Sequence, residues 1–289
     1  MWLQTRDFTD GQLGKFKSFQ RQVYTTLQDI AETLKPGETE RVVARRLHRA
    51  FKAQGARTYF HIPVALFGDR SGYPGEFGEL EALPTDRKLM DGDAVILDAA
   101  PVFEGYTADC SYAVPRAGGD RRNFTEADAL LSRCRTLIVA RAKQRANMRS
   151  VAREVDALIV AAGFENCHKK HIGKVLAHRV TRTTVNWLAA RRVWGLAPVP
   201  AGYFVLSSIR SSRGRPELTP NWNERRQSDC PMQPGLWAVE PHVARGATGV
   251  KFEEILVVTA DDAYYLDDDL PHCRRWSMTS GRQQTKRRL

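Results

Sequence analysis

At 289 residues, with 42% of them hydrophobic, the chain has the length and composition of one large globular domain or two small ones. No apolar run approaches the roughly 20 residues of a membrane span, and the opening MWLQTRDFTDGQ lacks the charged and apolar regions of a signal peptide, so a cytoplasmic protein without a membrane partner is expected. The net charge of +11 is a weak argument for nucleic acid, because six Arg or Lys and no acid fall between His272 and Leu289, and no helix-turn-helix, RNP-type or zinc-finger spacing accompanies them. Five cysteines, Cys110, Cys134, Cys167, Cys230 and Cys273, are an odd number without a CxxC pair and read as free thiols.

In chain order, Leu13, Phe16, Val23, Leu27, Ile30 and Leu34 recur at helical steps, and Pro36 with Gly37 ends that helix. A second helix is expected from about Glu40 to Gln54, followed by an extended segment from Thr58 to Leu66. The loop from Gly68 to Asp86 holds four glycines and two prolines and reads as irregular surface. Next comes GDAVILDAAPVFEGYTADCSYAV, Gly92 to Val114, which reads as a hairpin turning near Glu104 and Gly105. That turn pairs Asp98 with a position at or next to Asp109, roughly 5 Å apart at Cβ or one diagonal further. Opposed like charges need a positive neighbour, and a divalent cation is the natural candidate.

Thr125 with Asp128 three residues on reads as the N-cap of a helix running to about Ala146, and another helix is expected from about Val151 to Ala162. His171 and Gly173 follow in a short segment. A second hairpin then runs from Leu236 to Val243 and from Gly249 to Thr259; its turn near Gly246 sets Glu240 opposite or nearly opposite Glu253. Helix, helix, acid-paired hairpin thus occurs twice, a duplication of pattern and not of sequence. An Asp near a strand end is ordinarily a turn or cap residue, and a lone His is ordinarily structural. Matching acid pairs on two hairpins, with His171, instead make enough ligands for two divalent ions that polarise a carbonyl and generate hydroxide at neutral pH. Cys110 follows Asp109 directly, but strand alternation turns it toward the core.

The segments LMDGDAVILDAAPVFEGYTADCSYAV, HIGKVLAH from His171 to His178, PGLWAVEP from Pro234 to Pro241 and GVKFEEILVVT from Gly249 to Thr259 resemble the pita-bread metallopeptidases: methionine aminopeptidase, aminopeptidase P, prolidase and the non-peptidase creatinase. The short step from Glu240 to Glu253 is more similar to aminopeptidase P and prolidase. The resemblance implies an α/β pita-bread fold, a curved antiparallel sheet flanked by helices in two pseudo-symmetric halves. It implies two divalent metal ions (Mn, Fe, Co or Zn), with Asp98 on one, His171 and Glu240 on the other, and Asp109 and Glu253 bridging. Water or hydroxide between the metals would be the nucleophile, Glu240 a proton shuttle, and His178 the group that stabilises charge developing on the scissile amide.

The sequence departs from the family pattern in two places. The histidine that typical members carry seventeen or eighteen residues before the first metal aspartate is replaced by Glu81 and Leu80, so substrate contact falls to Glu81 or to His61 reaching in from the preceding strand. Lys251 stands where proline-directed members carry arginine, as a substrate-binding group or as a solvated charge. The other departure is an insertion, about 179–233, that is long and rich in arginine; with Trp187, Trp194, Tyr203 and Trp222 it reads either as a clamp for an anionic or aromatic substrate or as a solvated subdomain or interface. The expected organisation is one catalytic domain over 1–272, without the large amino-terminal domain of those relatives, then a flexible basic tail over 273–289. The expected function is hydrolysis at a peptide N-terminus of the Xaa-Pro aminopeptidase or dipeptidase kind, with a homodimer as one expected assembly. A repurposed hydrolase acting on a small C–N substrate and a non-catalytic binding module are the alternatives.

Overall fold

The computed structural model describes residues 2–75, 79–116, 118–185 and 196–286; Trp187 and Trp194 lie outside them. After a short strand β1 (Leu3–Gln4), helix α1 (Asp10–Glu32) opens on a capping box in which the Thr9 hydroxyl accepts from Gln12 N–H and the Gln12 side chain accepts from Thr9 N–H. Helix α2 (Glu40–Ala53) follows, then β2 (Thr58–Tyr59) and β3 (Val64–Phe67). The first hairpin is split by its twist into β4 (Ala94–Ala99), β5 (Pro101–Phe103), β6 (Tyr106–Thr107) and β7 (Cys110–Pro115). Its turn residues Glu104 and Gly105 both have positive φ (50° and 88°), the signature of the tight turn whose twist matches a two-stranded ribbon.

The second half repeats the plan. Helices α3 (Arg121–Lys143) and α4 (Met148–Ala161) lead through β8 (Glu165–Asn166), β9 (Ala177–Val180), β10 (Arg182–Thr183), α5 (Pro198–Ser212) and β11 (Asn221–Trp222) to the second hairpin. That hairpin is split in the same way, into β12 (Gly235–Val239), β13 (His242–Arg245), β14 (Thr248–Lys251) and β15 (Glu254–Val258). Strand β16 (Ala263–Tyr265) and helix α6 (Pro271–Lys286) close the described chain. This is the pita-bread arrangement: antiparallel sheets, with β3-β4-β7 against α1 and α2 and β9-β12-β15 continuing the other half. The first half packs Val23, Leu27, Leu47 and Phe51 of its helices on Val95 and Leu97, and the second packs Leu131, Ile138, Val155 and Ile159 against a core that includes Trp222 and Trp237.

Three local expectations are corrected. Helix α3 begins five residues early, capped by Asp120, whose carboxylate accepts from Asn123 N–H; Thr125 instead bonds back to the Arg121 carbonyl inside the helix. The loop after β3 is not simply surface, since Gly68, Ser71 and Gly72 are buried. The cause is Glu40, fully buried on α2, whose carboxylate accepts from Phe67 N–H, Arg70 Nε and Thr85 N–H and so draws both ends of the loop inward. Finally, the segment expected as a loose tail starts as helix α6, with Trp276 in the core and Arg275 paired to Asp128.

Candidate metal centre

The hairpins set the carboxylates. In the first, Asp98 pairs with Ser111, so Asp109 sits one diagonal away on the same face of the ribbon. In the second, Val239 pairs with Glu254 and His242 with Lys251, a register that brings Glu240 and Glu253 directly opposite each other. The two hairpins touch through a bridge between Ser111 and Glu253, which gathers all four acids into one buried cluster. His178 enters from β9, and His171 from the loop before it.

The cations around the acids are close and numerous. Lys251, 5% exposed, donates to Asp98 Oδ2 at 2.7 Å and lies 2.9 Å from both Glu240 Oε2 and Glu253 Oε2. It is therefore no solvated charge: strand alternation from Glu253 turns it into the acid cluster. Burial alone would depress its ammonium, but the three carboxylates hold it well above its ordinary value. His61 reaches Asp109 Oδ1 at 3.0 Å and Asp98 Oδ1 at 3.5 Å, while its Nδ1 donates to the Ile62 carbonyl. Burial pulls its pKa down, and Asp109 overcomes this and pushes it up to about 10. His178 lies 3.2 Å from Asp109 Oδ2 and 3.3 Å from Glu253 Oε1, and against the pull of burial these bonds raise it well above its ordinary value. Asp98 is raised to about 6 by burial, partly countered by Lys251, whereas the histidines take Asp109 far below the carboxylate range despite its burial.

His171 is wired differently. Its Nδ1 is 2.9 Å from Glu240 Oε2 and its Nε2 is 2.9 Å from His242 Nδ1; His242 Nε2 in turn donates to the Ser71 carbonyl at 2.6 Å. Because that carbonyl only accepts, His242 presents a lone pair to His171, and His171 turns its own lone pair toward Glu240. Burial and then Lys251 hold His171 neutral, well below its usual pKa. A lone pair 2.9 Å from a carboxylate oxygen is repulsive unless a cation is shared between them. In addition Asp98 Oδ1, Asp109 Oδ2 and Glu253 Oε2 are buried with only ion-pair contacts, to His61, His178 and Lys251 respectively, and no well-aligned hydrogen bond. An all-oxygen and imidazole donor set packed this densely with acids fits a hard or borderline divalent ion.

With this geometry in place, comparison with known proteins is decisive on family: the model for metallopeptidase family M24 matches residues 14–260. The chain belongs to metallopeptidase family M24. Its fold is similar to the X-Pro aminopeptidase from Thermotoga maritima (17% identity, 91% of this chain and 62% of that one, TM-score 0.61) and to the prolidase from Pyrococcus furiosus (15%, 91% and 65%, TM-score 0.60). An uncharacterized peptidase of Schizosaccharomyces pombe is 27% identical over 88 residues, 30% of this chain and 18% of that protein. The M24 chain thus spans about three fifths of the length of the solved relatives it matches.

Within this M24 site, a cavity of about 680 Å³ opens beside the acids. Ala82 and Leu83 line it, whereas Glu81 does not; His61 does, from the bend between β2 and β3 and not from a strand as expected. No arginine lines it among the described residues. The described arginines of the insertion lie elsewhere: Arg179 is buried over the Trp237 ring and donates to the Pro234 carbonyl, Arg182 lies over the Tyr106 ring, and Arg210, Arg213, Arg215, Arg225 and Arg226 are exposed. The insertion reaches the cavity through α5 instead, whose Phe204 packs on Phe60 (ring centroids 4.9 Å) and on His178 (5.7 Å). Sequence reasoning missed His242, Ser71, Tyr73, Phe60 and Phe204. His242 and Tyr73 carry no spacing signal of their own, because the contacts that matter join residues 71–73 to residue 242.

Proposed function

We propose that this chain is a divalent-metal-dependent amide hydrolase acting at the N-terminal end of a peptide, of the Xaa-Pro aminopeptidase or dipeptidase kind, with two ions held by Asp98, Asp109, His171, Glu240 and Glu253. The observation that carries the reading is the convergence of Asp98, His171, Glu240 and Glu253 on one cavity, with Asp109 fully buried beside them between His61 and His178. The names of the solved relatives, an X-Pro aminopeptidase and a prolidase, supply the bond type. When bound, the ions supply a polarised carbonyl and a water nucleophilic at neutral pH. His178 lines the cavity as a cationic donor and serves to stabilise charge developing on the scissile amide oxygen. Glu240 reaches the cavity beside His171 and serves to carry the proton to the leaving nitrogen. Lys251 orients Asp98, Glu240 and Glu253 and screens their repulsion, a positioning role in place of a substrate contact.

A second reading, a hydrolase of a small non-peptide C–N bond, draws on one observation: the extra imidazole beside Asp98 and Asp109 is that of His61, while positions 80–81 carry Leu80 and Glu81 in place of a histidine. Elemental analysis of purified protein incubated with Mn, Fe, Co or Zn tests both readings, which expect up to two ions per chain; a protein that stays metal-free sinks them. Assays of the loaded protein on Met-X, X-Pro and X-Pro-X peptides then separate the two, since release from none of them removes the first.

A further inference from the structure

Helix α5 belongs to the insertion, yet it is fastened at the mouth of the cavity. Ala197 N–H, at its N-terminal end, donates to the Tyr59 carbonyl at 2.7 Å, next to the Phe60 on which Phe204 packs. Its opposite face is seated through the buried Pro200, Ser207 and Ser211. Two side chains one helical turn apart, Val205 and Ile209, share the remaining face and line the cavity while staying 60% and 43% exposed. Across the opening, Ile62 and Leu83 are 38% and 42% exposed and line it as well. Scattered surface apolar residues need no explanation, but four converging on one opening beside a catalytic histidine form a patch that a bound group would cover. The polar groups on this side are Ser208 and Asn221, both uncharged; the charges of the cavity lie at its floor and at Lys170, whose ammonium is bound to the Tyr73 carbonyl and to Glu165.

We propose that the face of α5 bearing Phe204, Val205 and Ile209 is the specificity-determining wall of the site, and that the substrate carries a bulky, uncharged apolar group, aromatic or branched aliphatic, beside the bond to be cleaved. The inference rests on the amide-hydrolase reading for the bond, and on the wall alone for the group. The wall stands against His178, so a substrate held at the acids has its neighbouring substituent in van der Waals reach of α5. A charged or strongly polar substituent would lose its hydration there without gaining a partner.

The test is calorimetric binding of L-phenylalanine hydroxamate and L-alanine hydroxamate to the full chain, with and without Mn²⁺. The phenylalanine probe is expected to bind about tenfold tighter or more, the discrimination an apolar pocket gives to added methylenes. Val205→Asp and Ile209→Asp, both at exposed positions, are expected to bring the ratio to within about twofold; Ile209→Ala, a milder change, gives an intermediate ratio should either Asp variant fail to fold. Equal affinity of the two probes, or a ratio untouched by all three substitutions, overturns the wall. A Phe preference that is independent of Mn²⁺ keeps the wall and removes the metal reading, whereas Mn²⁺-dependent binding without a side-chain preference does the reverse. Absence of binding under either condition overturns both.

Discussion

The floor and the roof of the cavity are built on opposite principles. The floor is four carboxylates held within about 3 Å of Lys251, His61 and His178, on paired strands whose register leaves little freedom. The roof is one short helix that turns apolar side chains to the cavity, fixed by ring packing, by the burial of Pro200, Ser207 and Ser211 and by the Ala197–Tyr59 backbone hydrogen bond. In the floor, each group's protonation and position depend on its neighbours, so a single change propagates. In the roof the side chains act through apolar contact area, so a change there alters the fit of a bound group without altering the protonation of the acids. Chemistry is thereby separated from selectivity.

The comparison breaks most clearly at Asp109. Asp109→Ala is expected to abolish metal uptake and to lower hydrolysis of any peptide the loaded enzyme cleaves by about a thousandfold or more, because both ions lose a ligand. Elemental analysis alongside the assay checks this, and activity surviving the change would show that the site is assigned wrongly. Next in size is Lys251→Met. Removing one partner of a buried ion cluster costs about 3–5 kcal/mol, so urea unfolding of the metal-free variant should show that loss and added Mn²⁺ should recover part of it. An unchanged midpoint would mean that Lys251 is no keystone. His242→Ala should weaken metal binding by about 10- to 100-fold with a smaller effect on the fold, as removal of a group that orients a ligand does; Mn²⁺ titration followed by EPR distinguishes that from no effect. Smallest of all, Arg210→Ala and Arg213→Ala are expected to change kcat/KM by less than about twofold, since neither lines the cavity and exposed positions rarely carry more than about 0.5 kcal/mol. A large loss there would restore the arginine clamp and overturn the division between floor and roof.

The floor was legible in the sequence because hairpin pairing is a local rule. A turn at Glu104 and Gly105, or near Gly246, fixes which acids meet, and the observed registers differ from the expected ones by at most a diagonal. The repeated order of helix, helix and hairpin was visible for the same reason. The start of α3 was misplaced because Asp120 competes with Thr125 for the cap, and the sequence alone does not rank them. The loop after β3 looked like surface because its glycines and prolines say nothing of Glu40, which lies far before it in sequence and binds its backbone. The arginines suggested a clamp by composition, whereas the helix that reaches the cavity presents Phe204, Val205 and Ile209, and its buried face carries Pro200, Ser207 and Ser211, so no apolar stripe marks which side is seated.

Gly249 carries one more consequence. A Cβ on this residue would overlap the Ser71 carbonyl, and its N–H already donates to the Ser71 hydroxyl oxygen at 2.8 Å. That same carbonyl sets the tautomer of His242 and, through it, of His171. An alanine here would displace the loop without touching a single metal ligand. In a genetic screen it would be scored as a loss of metal, although the lesion is one methyl group between two backbones.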